Sequence, residues 1–208
     1  MIISHSHRYI FFAVPKTGTH SVRQALRSQL GEHDLEQVGL FVQKRFPFPE
    51  LARIGHGHIS SQQLRPVLGD EAFASYLKFA FVRNPFDRFV SYCAFTSRDT
   101  DVFDTEPLQY MKYVVRELRP LDHLLYQPQH LMLTDANGKL EMDFVGRTET
   151  MQESFDEICA KLGLESTPLP RVNVTRRRPY QEYYDRELVD WVSDTYRRDL
   201  ELFDYRFE

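Results

Sequence analysis

The sequence predicts an α/β fold of three layers, in which a central, mostly parallel β-sheet is flanked by helices. Two runs, Tyr9 to Val14 and Tyr76 to Val82, are continuously apolar and rich in β-forming residues, as is typical of strands buried on both faces of a parallel sheet. A polar turn and then apolar residues at helical spacing follow each run. At 208 residues the chain is long enough for one such fold, so we expect residues 1–208 to form a single domain.

The first strand leads into a helix. The strand stops at Pro15, and apolar residues from Val22 to Leu30 recur at helical spacing until Gly31 ends the pattern. The next clear signal is Ser60, which is placed to cap a helix over Gln62 to Leu68.

The second strand is also followed by a helix. Asn84 is placed to cap this helix, and Pro85 occupies its first position, where a missing N–H costs nothing. A further helix is predicted from Leu108 to Leu118.

The last third of the chain is predicted to contain a hairpin and two helices. Leu131 to Thr134 and Leu140 to Val145 are expected to pair around an Asn-Gly turn. Thr150-x-x-Glu153 has the pattern of a capping box at the start of the next helix. One amphipathic helix is expected from Leu188 to Phe203.

Composition excludes several classes of function. A formal net charge of −4 argues against nonspecific nucleic-acid binding, which needs a surplus of Lys and Arg. Cys93 and Cys159 lie in apolar helical patterns, so we interpret both as core thiols rather than as disulfide or metal ligands. The run from Tyr9 to Val14 is far shorter than the roughly 18 apolar residues of a membrane span and lacks a signal-peptide pattern. We therefore expect a cytoplasmic protein without a transmembrane segment.

The strongest local signal is the turn Val14-Pro15-Lys16-Thr17-Gly18-Thr19-His20-Ser21, between a buried strand and a helix. Backbone N–H groups at a helix N-terminus attract a phosphate, Gly18 permits close approach of the main chain, and Lys16 adds a positive charge. Hydroxyl donors come from Thr17, Thr19 and Ser21. The segment is not a Walker A motif, because its lysine precedes its glycine. The alternative interpretation is a polar turn with a surface lysine.

A second signal runs from Phe81 to Tyr92, again as strand, turn and helix. Arg83 leaves the carboxyl end of the strand, where ligands collect in open α/β sheets, and its planar fork suits a phosphate. Ser91 is placed to approach the same anion. Arg88 has two open interpretations, an ion pair with Asp87 or another acid on a solvated face, or a ligand contact.

Together these two segments resemble the two signatures of the sulfotransferase family that bind PAPS (3′-phosphoadenosine 5′-phosphosulfate). The segments Asp143 to Glu149 and Leu200 to Phe207 are similar to those of the Golgi-type carbohydrate sulfotransferases and their bacterial relatives, so we expect a bacterial protein. The resemblance implies a P-loop-like three-layer fold, with PAPS at the carboxyl ends of the two predicted strands.

The resemblance also assigns roles to residues. It places Lys16 at the oxygen that bridges phosphate and sulfate, where negative charge grows in the transition state. By this resemblance, the 3′ phosphate is bound by Arg83 and Ser91. The 5′ phosphate is bound by Thr17, Gly18, Thr19 and Ser21. His20 occupies a position where the family often has a hydroxyl residue. Weaker donor-site candidates are Arg147 and Arg177; the run Arg176-Arg177-Arg178 either closes over the donor or forms a solvated face.

A base must accept the proton of the acceptor hydroxyl, and a neutral imidazole suits this role. His56 and His58 are the candidates, because Gly55-His56-Gly57-His58 resembles the His-Gly-His of uronyl 2-O-sulfotransferases. We favour His58, which lies nearer the helix start at Ser60. A structural histidine pair and a metal site are the alternatives; we predict no metal, because no third ligand has a suitable spacing.

The sequence thus predicts transfer of a sulfuryl group from PAPS to a hydroxyl acceptor, with PAP as product and a saccharide or glycolipid as acceptor. Two alternatives remain open. One is a P-loop-type small-molecule kinase that uses ATP and Mg²⁺. The other is a catalytically silent protein that binds PAP or another nucleotide, since a fold does not guarantee chemistry.

Overall fold

A computed structural model describes residues 1–38, 46–170 and 178–208. The chain divides into two compact units. The first unit comprises Met1–Val82 and Gln129–Val172, and the second comprises Arg83–Pro128 and Asn173–Glu208. The predictions for Arg176 and Arg177 lie outside the described residues.

The β-sheet belongs to the first unit. Its strands are β1 (Ile2–Ser4), β2 (Tyr9–Phe12), β3 (Leu35–Glu36), β4 (Leu77–Val82) and β5 (Phe144–Arg147). Their order across the sheet is β3-β1-β2-β4-β5. Strand β2 is parallel to β4, β4 is parallel to β5, and β1 is antiparallel to both β2 and β3. Since β1 alone is reversed among these strands, the prediction of a mostly parallel sheet is confirmed.

Helices occur in both units. In chain order they are α1 (Thr19–Arg27), α2 (Pro49–Ala52), α3 (Ser61–Leu68), α4 (Asp70–Ser75), α5 (Pro85–Thr96), α6 (Val102–Thr105), α7 (Pro107–Tyr113), α8 (His130–Leu133), α9 (Met151–Leu162), α10 (Arg186–Thr195) and α11 (Arg197–Leu202). A π-helical turn follows α7 at Val114–Leu118, and a 3-10 turn covers Tyr180–Tyr183. Over the described ranges, no helix combines the length and the apolar character that a bilayer span requires.

The sheet has helices on both faces, because alternate side chains of a strand point to opposite sides. On one face, aromatic residues of β2 and β4 share a core cluster with α1 and α9: Tyr9, Phe11, Phe79, Phe81, Val22, Leu26, Phe155 and Ile158. On the other face, the ring of Phe12 packs against Phe73 of α4, and Leu64 of α3 is fully buried. The first unit therefore has the three layers that the sequence predicts.

The second unit has a helical core of its own. The apolar face of α5 packs with α7, the π-helical turn and α10, around Phe86, Phe89, Met111, Val114 and Leu188. Both cysteines are buried thiols outside any disulfide, Cys93 in this core and Cys159 in the core of the first unit, as predicted.

The predicted hairpin is wrong in its strands but right in its turn. Leu131 to Thr134 lies mostly in α8, and Thr134 forms only an isolated bridge with Leu140 around the turn that ends at Gly138. Strand β5 instead pairs in parallel with β4, from Phe79 opposite Phe144 to Val82 opposite Arg147. A strand four residues long satisfies its backbone better in an existing sheet than in an isolated hairpin.

Three helix predictions also need correction. The helix at Leu108–Leu118 changes to π geometry after Tyr113. The capping box at Thr150 does not form, since its backbone (ψ 49°) lacks the extended conformation of such a cap. The final helix is two helices, α10 and α11, separated at Tyr196. The caps predicted at Ser60 and Asn84 are confirmed, because both side chains accept backbone N–H bonds.

Candidate active site

The turn between β2 and α1 contains the strongest sequence signal. Lys16 (φ 67°) and Gly18 (φ 74°) both have left-handed backbone conformations, so the chain reverses sharply before α1 begins. Helix α1, which is described throughout, has no acidic residue in its first turn. Its N-terminal N–H groups and the positive end of its dipole therefore suit an anion.

Gly18 suits its position because its positive φ is costly for other residues. The flexible end of the Met151 side chain, at the start of α9, occupies the space where a Cβ would lie. The neighbouring Thr17 is fully buried, and its hydroxyl donates to the carbonyl of Val14 at 2.9 Å. That bond closes the turn from inside, so Thr17 offers a ligand its backbone rather than its hydroxyl hydrogen.

Thr148, directly after β5, joins this turn to the end of β4. Its hydroxyl lies 3.2 Å from the carbonyl oxygen of Thr17 and 3.0 Å from that of Val82. A trans peptide points its C=O and N–H in opposite directions. By holding the Thr17 carbonyl, Thr148 therefore fixes the direction of the Gly18 N–H. Sequence reasoning missed this role, although a threonine directly after a predicted strand was a usable signal.

His58 forms a hydrogen bond with Ala13, the residue just before this turn. Its Nδ1 lies 2.6 Å from the carbonyl oxygen of Ala13, and because a carbonyl can only accept, Nδ1 carries the hydrogen. In the neutral ring Nε2 then has the lone pair. Burial is the main cause that lowers the pKa of His58 to about 4. The ring is therefore neutral at physiological pH, in the tautomer that accepts a proton at Nε2.

His56 precedes His58 with one glycine between them. Nδ1 of His56 accepts the backbone N–H of His58 at 3.3 Å, and burial lowers the pKa of His56 as well. A Cβ on Gly57 would lie 2.0 Å from the carbonyl oxygen of Gln37. The glycine is therefore needed because the backbone passes too close to the chain after β3 for any side chain.

His20, Arg23 and Arg27 form a basic group on α1. Arg23 donates to Nδ1 of His20 at 3.0 Å, while Arg27 binds Glu36 of β3 in a bidentate pair at 2.7 and 2.9 Å. Burial, followed by the charge of Arg23, lowers the pKa of His20. Since Nδ1 accepts from Arg23, neutral His20 carries its hydrogen on Nε2 and can donate there, the opposite tautomer to His58.

Arg83 begins the second compact unit. Asp87, one turn later, contacts its guanidinium at 2.7 Å from Nε and 2.6 Å from Nη2. Asp87 therefore fixes the orientation of the Arg83 fork. Ser91 lies in α5, two helical turns after Arg83, and is only 5% exposed.

The interpretation of Arg88 as part of a solvated face is wrong. Arg88 is 2% exposed, donates to the carbonyl of Leu125 at 3.0 Å, and lies near the buried Asp199. Asp87 pairs with Arg83 instead. Burial lowers the pKa of Arg88, and the nearby acid and the carbonyl compensate its charge inside the core.

The remaining candidates have separate places. Arg147 ends β5 next to Thr148, and its backbone N–H donates to the Ser154 hydroxyl at 3.1 Å. Thr19 and Ser21 are buried in the first turn of α1. Arg177 lies outside the described residues. Thus the structure brings the turn with Lys16, Thr148 and His58 together in the first unit, while Arg83 and Ser91 belong to the second.

No cluster of three or more potential ligands for a metal ion occurs within residues 1–38, 46–170 and 178–208. The groups at and around the turn are the backbone N–H groups, the amine of Lys16 and the imidazoles of His20, His56 and His58.

A strand, a tight turn and a helix N-terminus at the carboxyl edge of a parallel sheet are typical of α/β proteins that bind a phosphorylated ligand. Within that class, the chain belongs to the sulfotransferase family, whose family model matches residues 1–206. It is therefore a sulfotransferase, and the predicted family and enzyme class are confirmed.

The chain is also similar to a solved structure, the crystal structure of a sulfotransferase from Alicyclobacillus acidocaldarius. The two sequences are 17% identical, the match covers 96% of this chain and 97% of the other, and the TM-score is 0.50. At that identity the likeness supports the α/β fold alone. No curated protein matches the chain.

Proposed function

We propose that this sulfotransferase moves the sulfuryl group of PAPS to the hydroxyl of a saccharide or glycolipid, without a metal ion. The observation that carries the proposal is the contact between His58 and Ala13, three residues before Lys16. This contact joins the proposed base to the turn that carries the proposed catalytic lysine. We further propose that both compact units, 1–208, act as one sulfotransferase domain in the cytoplasm of a bacterium.

The turn before α1 is the proposed site of the donor's 5′ phosphosulfate. Backbone N–H groups of Thr17, Gly18 and Thr19, the hydroxyl of Ser21 and Nε2–H of His20 would hold the phosphate. In the second unit, Arg83, oriented by Asp87, and Ser91 would bind the 3′ phosphate that distinguishes PAPS from ordinary nucleotides. Arg147 and Arg177 remain weaker candidates for the donor.

The proposed reaction is an in-line displacement at sulfur. The acceptor oxygen forms a bond to sulfur, and the bond between sulfur and the bridging oxygen of the 5′ phosphate breaks. The acceptor proton moves to Nε2 of His58 and later to solvent, so the products are the sulfate ester, PAP and a proton. Lys16 stabilises the charge that appears on the departing phosphate oxygen.

A pKa of about 4 makes free His58 a weak base, but the bound donor would strengthen it. The negative charges of PAPS favour the imidazolium, and the hydrogen bond from Nδ1 to Ala13 also stabilises the charged ring. His56 is the alternative base, and comparison of the two variants distinguishes them.

Labelled PAPS, incubated with glycan, glycolipid and small phenolic acceptors, tests the reaction. Mass spectrometry should find a sulfated saccharide or glycolipid in the presence of a chelator. Calorimetry should find metal-independent binding of PAP and weaker binding of ATP. Tight Mg²⁺-dependent binding of ATP would favour a kinase, and PAP binding without transfer to any acceptor would favour a silent binding protein.

A further inference from the structure

The second compact unit contains a cavity that the proposed reaction does not use. Its volume is about 280 Å³, close to the lower limit for small-molecule sites. The π-helical turn and α10 supply most of its wall. The lining includes Arg116, Arg119, Leu121, Trp191, Asp194 and Thr195.

Two arginines supply the positive charge of this cavity, and the carboxylate of Asp194 is paired with Arg197. The guanidinium of Arg116 lies 4.6 Å from the ring centroid of Trp191, a cation–π contact that holds the fork in place. Lys112, 5.6 Å from the same ring, is neutralised by Asp185 and Glu187. Among the described residues no carboxylate forms an ion pair with Arg116 or Arg119. These two forks therefore have room for the carboxylate or sulfate of a ligand.

The backbone beneath the arginines is irregular in two ways. Val114–Leu118 has π geometry, and Arg119 follows it with a left-handed φ of 39°. The Arg119 N–H closes the turn on the carbonyl of Val114 at 2.9 Å. π turns are rare and concentrate at functional sites, and a left-handed arginine costs energy that regular helix would avoid. Both irregularities fall at the wall of one cavity.

The rest of the lining suits a polyhydroxylated ring. Trp191 and Leu121 (55% exposed) offer apolar surface, and the Thr195 hydroxyl offers an oxygen that accepts a hydroxyl hydrogen. Asp194 also lines the cavity, and its Oδ1 is paired with Arg197 at 2.6 Å. Thr195 is held by its bond to the Trp191 carbonyl at 2.9 Å. Paired arginine forks beside such surfaces match a sugar that carries an acidic group.

We propose that this cavity binds one residue of an anionic saccharide, a sugar bearing a carboxylate or a sulfate ester. The site lies in the second unit alone and shares no residue with the proposed donor site or the proposed base. The inference therefore goes beyond the proposed reaction and can fail or succeed independently of it.

Trp191 is the single tryptophan of the chain, so its fluorescence reports on this cavity directly. We would titrate the full chain with a tetrasaccharide of alternating glucuronate and N-acetylglucosamine, and with the same tetrasaccharide after reduction of its carboxylates. The expected result is a saturable fluorescence change with the acidic form at a Kd below about 1 mM, and at least about tenfold weaker binding of the reduced form. Calorimetry of the same samples provides a second readout.

Arg119→Ala is the sharpest variant, because it leaves the contact between Arg116 and Trp191 intact. It should weaken binding about tenfold, and Arg116→Ala should do the same. The matched control, Arg98→Ala combined with Arg198→Ala, removes two surface charges of the same unit outside the cavity and should bind as the parent does. Thermal melts verify that each variant is folded.

Several results would overturn the proposal. These are equal binding of the reduced tetrasaccharide, unchanged binding by both cavity variants, and no binding of the acidic tetrasaccharide at about 10 mM. Binding of inorganic sulfate or of hexaglutamate as tight as that of the tetrasaccharide would also overturn it, since the site would then recognise an anion or an acidic peptide. A Lys16→Ala variant that loses transfer but keeps the fluorescence response separates this site from the proposed reaction.

Discussion

Nδ1 of His58 lies 2.6 Å from the carbonyl oxygen of Ala13, although the two residues are 45 positions apart in the chain. This bond selects the tautomer of the ring and attaches it to the turn that contains Lys16. The proposed base and the proposed catalytic lysine therefore depend on one small piece of backbone, and variants can test each of them separately.

His58→Asn should abolish most of the activity while the protein stays folded. An asparagine amide can occupy the position of Nδ1 and still donate to Ala13, but it has no atom at Nε2. We expect turnover to fall about 100-fold or more, with little change in PAP affinity measured by calorimetry. His56→Asn is the matched control and should keep most of the activity; a larger loss in that variant would transfer the role of base to His56.

Stability should depend on pH through the same residue. Folding lowers the pKa of His58 from 6.5 to about 4, so the unfolded chain binds its proton first as the pH falls. The free energy of unfolding should decrease as the pH falls from 6.5 to about 4. Below that pH the contribution of His58 should stay constant, because the ring is then protonated in both states. The loss should be about 2 kcal/mol after allowance for partial exposure of the ring. Urea melts across that range should give a shallower slope for His58→Asn; an identical slope would contradict the assignment.

Replacement of Lys16 should separate activity from stability. Lys16→Ala should lower turnover by about 100-fold or more, because the charge acts mainly in the transition state. Lys16→Gly should be as inactive as Lys16→Ala. Its free energy of unfolding should exceed that of Lys16→Ala by about 1 kcal/mol, because glycine adopts the left-handed φ of 67° without strain. Assays and chemical melts measure both effects, with the surface variant Lys161→Ala as control. Near-normal turnover of Lys16→Ala would refute its catalytic role.

Thr148→Val should loosen the phosphate turn. The substitution keeps the shape of the side chain but removes the hydroxyl that bonds the Thr17 carbonyl. We expect KM for PAPS to rise about fivefold, equivalent to about 1 kcal/mol, with a smaller change in kcat. Thr148→Ser should restore the parent value. Thr134→Val is the control, because the Thr134 hydroxyl donates to the carbonyl of His130 in α8, away from the phosphate turn. If Ser and Val behave alike at position 148, the hydroxyl has no positioning role.

Arg83 should discriminate PAP from nucleotides without a 3′ phosphate. Arg83→Ala should weaken PAP binding about 30-fold, the value of a charge-assisted hydrogen bond, and leave binding of 5′-AMP unchanged. Asp87→Asn should give a smaller effect of the same kind, because it releases the Arg83 fork. Calorimetry measures both ligands, with Arg98→Ala as control. Equal losses of affinity for PAP and 5′-AMP would contradict the proposed contact between Arg83 and the 3′ phosphate.

The sequence predicted features that depend on neighbouring residues. The apolar runs of β2 and β4, the caps at Ser60 and Asn84, and the turn around Lys16 are all local patterns of hydrophobicity and conformational preference. They were sufficient to predict the α/β fold and the sulfotransferase family, since the matching motifs are themselves short and continuous.

Tertiary structure alone decided which distant groups meet. β5 pairs with β4 rather than in a hairpin, Thr148 contacts Thr17 from 131 residues away, and Arg88 enters the core beside Asp199. A sequence pattern predicts which residues are buried or paired. It does not predict which partner each residue contacts, because long-range pairing depends on how the whole chain packs. The cavity around Arg116 and Arg119 belongs to this second group, since it exists only where the π-helical turn packs beside α10.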